Sequence, residues 1–185
     1  IWNLGYEVST DGYIFRGGSD QVFSKDSFIH LYNEAEKIRK NQPNKKFILQ
    51  ANTIENIDRS PQSRHFVKSF GDSFENFNYN KFETFISEIN QNVTEEILDI
   101  NQSLKYWGKP SSLWTSLGPV DRVDGCSWLM TKEEFNKYGP IPVIINNVTG
   151  DVLIHDKLQI DGYDEYIVKN CITYHFVRGE SMNQY

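Results

Sequence analysis

From Phe82 to Leu104 apolar residues recur every three or four positions, and no other stretch constrains the fold as much. Phe82, Phe85, Ile86, Ile89, Val93, Ile97, Ile100 and Leu104 keep that spacing, which puts side chains that avoid water along one side of a 3.6-residue repeat. Asn80 suits the start as a cap, and Gly108 and Pro110 suit the stop. The pattern predicts one long amphipathic helix from about Asn80 to Leu104. Its expected task is to cover one face of a sheet.

The flanking sequence supplies that sheet. Tyr13-Ile14-Phe15-Arg16 reads as a strand between the turn Thr10-Asp11-Gly12 and Gly17-Gly18. Phe28, Leu31, Ala35 and Ile38 predict a helix over Ser24 to Lys40, and Lys46 to Gln50 reads as a buried strand. Ser60-Pro61 is expected to open a short helix running through Phe70. Beyond Gly108 the texture becomes extended. Ser127 to Thr131 is a strand, Lys132 to Tyr138 a short helix, and Ile141 to Asn146 a buried strand. The chain turns over Asn147 to Gly150, returns along Val152 to His155, and ends with stretches at Tyr166 to Lys169 and Ile172 to Val177. This is an α+β pattern: an N-terminal strand and helices, with a mainly antiparallel C-terminal sheet. At 185 residues the chain is expected to form a single domain over residues 1–185.

Charge and cysteine usage narrow the function classes. With 25 acidic against 19 basic residues and a net charge of −6, non-specific attraction to a phosphate backbone is disfavoured. No run approaches the roughly 20 apolar residues of a bilayer-spanning helix, so no membrane association is expected. Cys126 and Cys171 are too few for a disulfide framework; they leave room for one bridge, and free thiols in a reducing compartment are the expectation. A cytoplasmic site of action follows, and secretion as an effector or toxin is compatible with it. The chain starts at Ile1-Trp2 without a Met, which leaves room for a removed leader.

Three short motifs stand in a suggestive order. Phe15-Arg16-Gly17 comes early. A Ser/Thr-bearing element follows in the middle, either Trp114-Thr115-Ser116 or Ser127 to Thr131. Asp164-Glu165-Tyr166-Ile167-Val168 comes late. Together they resemble the signatures of the ADP-ribosyltransferase fold: an aromatic-Arg-Gly strand, a Ser-Thr-Ser-like strand, and a Glu that opens a strand after a loop. The resemblance implies NAD as the substrate cofactor. It implies that Glu165 steadies the cation developing on the ribose while Arg16 pairs with the phosphates, with Gly17, Ser116 or Ser127, and Tyr163 lining the cofactor site. Members that modify arginine often carry Glu or Gln two residues before the catalytic Glu. Tyr163 stands there in this chain, which points to another acceptor or to plain NAD hydrolysis.

Other readings stay open beside it. Cys126 with His155 or His175, oriented by Asp156 or Asp161, would be the parts of a thiol hydrolase or deamidase. His30, His65, His155 and His175 are scattered, with no metal-ligand spacing, so no metal is expected. A non-enzymatic alternative is an acidic, aromatic-rich binding module of the inhibitor or immunity type, engaging a protein partner through a loop such as Asp72 to Tyr79. A protein partner or target is expected on either the transferase or the binding-module reading.

Overall fold

A computed structural model describes residues 12–18, 20–56, 66–107, 127–138, 144–145, 148–149 and 157–176. The strands are β1 (Tyr13–Arg16), β2 (Gln21–Phe23), β3 (Phe47–Glu55), β4 (Phe66–Val67), β5 (Ile97–Leu98), β6 (Trp128–Thr131), β7 (Ile144–Ile145), β8 (Val148–Thr149) and β9 (Asp164–His175). The helices are α1 (Ser27–Asn41), α2 (Tyr79–Asn90), α3 (Ile100–Trp107) and α4 (Lys132–Asn136). Residues 157–160 add one further helical turn.

The α+β class holds, but the sheet is not confined to the C-terminal third. Seven strands form one sheet in the order β1-β6-β3-β9-β2, with β4 added to β3 and β5 added to β9. The pairings of β6 with β1 and β3, and of β9 with β2 and β5, are antiparallel. The long central pairing of β3 with β9 is parallel, as is β3 with β4. All nine residues of β3 are buried, as expected for a strand covered on both faces. β7 and β8 form a separate hairpin, tighter than expected, because Val148-Thr149 already pairs back. The returning strand expected at Val152 to His155 lies outside the described residues.

β9 carries the irregularity that shapes the sheet. Val168 pairs with Ala51 and Ile172 with Asn52, so the three residues between them have no counterpart on β3. Such a bulge bends a strand and resets which side chains face which way. Cys171 accordingly packs under α1, while Ile172 joins the cluster on the opposite face. Ser24 holds the bend: its N–H donates to the Ile172 carbonyl at 2.8 Å, and its hydroxyl accepts from the Ile172 N–H at 3.0 Å.

One face of the sheet is covered by α1, whose Leu31, Ala35 and Ile38 pack on Phe47, Leu49, Ala51, Leu129 and Val168. The opposite face is shared by three helices. α4 and the turn at 157–160 pack over Ile48, Trp128 and Met130. α3 packs its Trp107 over Ile167 and Leu98. α2 packs Phe82 and Ile86 over Ile54, Ile172 and Tyr174.

The long helix predicted from Asn80 to Leu104 is divided. α2 ends at Asn90, β5 follows at Ile97-Leu98, and α3 begins at Ile100. Two interactions separate the helices. The Asn90 amide donates to the Lys169 carbonyl at the β9 bend, 2.8 Å away, and Ile97 and Leu98 pair with Val168 and Ile167. Asp99 then caps α3 reciprocally: its carboxylate accepts from the Gln102 N–H at 2.8 Å, and the Gln102 side chain accepts from the Asp99 N–H at 2.9 Å. Of the short helix expected from Ser60-Pro61 through Phe70, the part before Phe66 lies outside the described residues, and Phe66-Val67 extends alongside β3 instead.

Candidate functional site

Register puts Arg16 and Glu165 on one face of the sheet. Arg16 is opposite Trp128, Trp128 is opposite Gln50, and Gln50 is opposite Ile167. Partners across adjacent strands share a face, and so do residues two apart on one strand. Glu165, two residues before Ile167, therefore projects from the same side as Arg16. Three strand spacings, about 14 Å in all, separate β1 from β9.

Side chains fill that gap. The Arg16 guanidinium lies over the Trp128 ring, 5.9 Å from its centroid. The Gln50 amide donates to the Glu165 carboxylate at 3.3 Å. Trp128 and Gln50 are fully buried, whereas Arg16 and Glu165 are half-buried as residues, with Arg16 Nε and Nη1 themselves shielded from solvent. Asn52, the next residue of β3 on this face, is also fully buried. Lys45 and Lys46 flank the start of β9: Lys45 pairs with Asp164 at 3.1 Å, and Lys46 donates to the Asp161 carbonyl at 2.8 Å. A hydrogen bond with Tyr166 raises the Lys45 pKa above its ordinary value, aided by Asp164.

The remaining residues expected at a cofactor site scatter. Tyr163 is on the same face, but it is buried beside Ile48 and edge-on to Tyr138, with ring centroids 5.7 Å apart. Burial raises its hydroxyl pKa. Gly17 follows Arg16 where a Cβ would approach the Phe15 ring to 2.8 Å, so a side chain does not fit there without displacing that ring. Ser127 turns away from the Arg16 face: its hydroxyl donates to Gln21 Oε1 at 2.7 Å, the same oxygen that takes the Gly18 N–H at 2.6 Å. Ser127 thus braces the glycine turn after Arg16 from behind. Trp114, Thr115 and Ser116 lie outside the described residues.

The parts of a thiol site are not brought together among the described residues. Cys126, His155 and Asp156 fall outside them. His175 lies on the other face between Glu55 and Asp20, at 3.2 and 3.3 Å, and Asp161 accepts from the Tyr138 hydroxyl at 2.8 Å. Cys171 is fully buried, and that burial pushes its thiol up to about 12. Among the described residues no group of three His, Cys, Asp or Glu is arranged to hold a metal ion, and no helix is long and apolar enough to cross a membrane. The proposed contact loop is partly core, since Phe77 packs against Phe70, Phe82 and Tyr174. Phe74 remains half exposed over Phe176.

A groove of about 640 Å³ opens elsewhere, between β1, α1 and α4, lined by Tyr13, Glu36, Arg39 and Lys132 among others. The Tyr13 hydroxyl donates to Glu36 at 2.7 Å, and the Arg39 guanidinium donates to Glu134 at 2.5 Å. Two of its polar groups, Tyr13 and Arg39, are thus engaged by carboxylates, which makes it a weaker candidate than the Arg16–Glu165 face.

Gln50, Asn52 and Trp128 were not anticipated. The one signal in sequence was the run of polar residues Gln50, Asn52 and Thr53 inside an otherwise apolar segment. Compared with protein-family models, curated proteins and solved structures, the chain matches none.

Proposed function

We propose that the protein is an NAD-dependent ADP-ribosyltransferase-like enzyme that cleaves the nicotinamide–ribose bond. The observation carrying this reading is the common face of Arg16 and Glu165, linked by the buried pair Trp128 and Gln50. In the reaction the C–N bond breaks and its electron pair leaves with nicotinamide. The ribose carbon becomes cationic and is captured by an acceptor nucleophile, which loses its proton, or by water. A carboxylate held against the sugar favours that transition state over the ground state. Glu165 supplies it, with its oxygen steadied by Gln50. Arg16 offers a planar fork to the phosphates.

The test is nicotinamide release from NAD. Glu165→Gln is expected to lower the rate at least a hundredfold while NAD binding persists, and Arg16→Ala to weaken NAD binding. A rate unchanged in Glu165→Gln removes that residue from the mechanism. A wild-type protein that releases no nicotinamide ends the reading. The alternative, a non-catalytic protein-binding module, then takes over. It is favoured by Phe28, Ile29 and Tyr32 on α1, each more than half exposed at 51, 57 and 51%.

A further inference from the structure

Asn52 is fully buried in the middle of β3, yet neither its Oδ1 nor its Nδ2 has a hydrogen-bond partner among the described residues. A buried amide left unmatched on both atoms is costly, and native proteins tolerate few of them. Its place in the fold is specific. Alternation along β3 puts Asn52 between Gln50 and Ile54, on the face that carries Arg16, Trp128 and Glu165, with Ile172 opposite it on β9. Trp107, packed over Ile167 on that face, likewise carries an indole N–H with no partner among the described residues.

We infer that Asn52 is a recognition residue for a planar ligand edge that presents one donor beside one acceptor. The Asn amide carries its own acceptor and donor side by side, so it pairs through two hydrogen bonds with a carboxamide or with an adenine edge. Apolar neighbours such as Ile54 and Ile172 strengthen such a pair by excluding water. The name of the ligand rests on the transferase reading, because NAD offers both edges, the nicotinamide carboxamide and the adenine. The position favours neither over the other by chemistry alone. On this face of β3, Gln50 stands between Asn52 and Ile48, the residue opposite Glu165.

The experiment compares ligands on the wild-type protein before any substitution is made. Nicotinamide against nicotinic acid tests the carboxamide, and adenosine against purine riboside tests the adenine edge, each by calorimetric titration. One member of either pair is expected to bind at least tenfold tighter than its edge-altered analogue, and Asn52→Leu is expected to abolish that preference. Asn52→Leu should also melt at or above the wild-type temperature, since an apolar side chain replaces an unmatched amide. Binding of neither nicotinamide nor adenosine overturns the inference, and so does a preference that survives Asn52→Leu. If Glu165→Gln stops NAD cleavage while edge preference ignores Asn52, the inference falls and the transferase stands. If wild type recognises an edge through Asn52 but cleaves no NAD, the transferase falls and the inference stands.

Discussion

Gln50 reaches across from β3 to hold the carboxylate of Glu165, and its burial makes the bond directional rather than a transient surface contact. On the transferase reading Gln50 is therefore a positioning residue. If Glu165 acts on a ribosyl cation, Gln50→Leu should lower kcat about tenfold or more with little change in KM, because the carboxylate remains but its aim is lost. Gln50→Glu should do worse, placing a second anion against Glu165. An equal change in folding stability and no change in kcat would reduce Gln50 to a structural role. Arg16 and Glu165 were legible as single motif residues, since each sits at a strand end beside a turn signal. Gln50, Trp128 and Asn52 were not, because their relevance comes from register across three strands, and one sequence read alone carries no pairing information.

Between Asn90 and Ile100 a single stretch of sequence satisfies two architectures. A three-and-four spacing is compatible with a continuous helix, yet Ile97 and Leu98 turn to opposite sides of the sheet, a period of two. The outcome was decided at long range by the edge of β9, with Asp99 and Gln102 supplying a local capping signal that the apolar count ignored. Asp99→Ala should cost about 1 kcal/mol by loss of the cap, and Leu98→Ala about 2–5 kcal/mol by opening a cavity beside Trp107 and Ile167. A continuous helix would reverse that expectation for the cap: Asp99→Ala would then be neutral or stabilising in urea unfolding, alanine being the better helix former. α1, by contrast, was readable except at its start, which is Ser27 with Phe28 half exposed, because Leu31, Ala35 and Ile38 answer only to the sheet face beneath them. β3 was readable only as far as Gln50. Its second half is buried and polar, and polar residues in a strand suggest an exposed edge until the covering helices are known.

At the scale of the molecule, one thiol and four phenols share the same direction of shift. Cys171 beneath α1, Tyr138 and Tyr163 beside α4, Tyr79 at the start of α2 and Tyr13 on β1 all have raised pKa values, with burial the first cause in each. A group whose folded pKa exceeds its unfolded value stays protonated longer in the native state. Its contribution to stability is complete below the unfolded pKa and is lost as pH climbs toward the folded one. For Cys171 the window runs from 9.0 to about 12, and for Tyr79 from 10.0 to about 12. Stability is therefore expected to be level for these groups up to pH 8 and to fall steeply above pH 9. Within its window Cys171 contributes a loss of about 1.4 kcal/mol per pH unit. Urea midpoints at pH 8, 9, 10 and 11 measure the fall. Cys171→Ala should flatten the portion that begins near pH 9 while leaving the tyrosine portion above pH 10. A midpoint that stays constant to pH 11 would mean that these side chains are open to solvent in the native state, and the packing of α1 onto β9 around Cys171 would have to be abandoned.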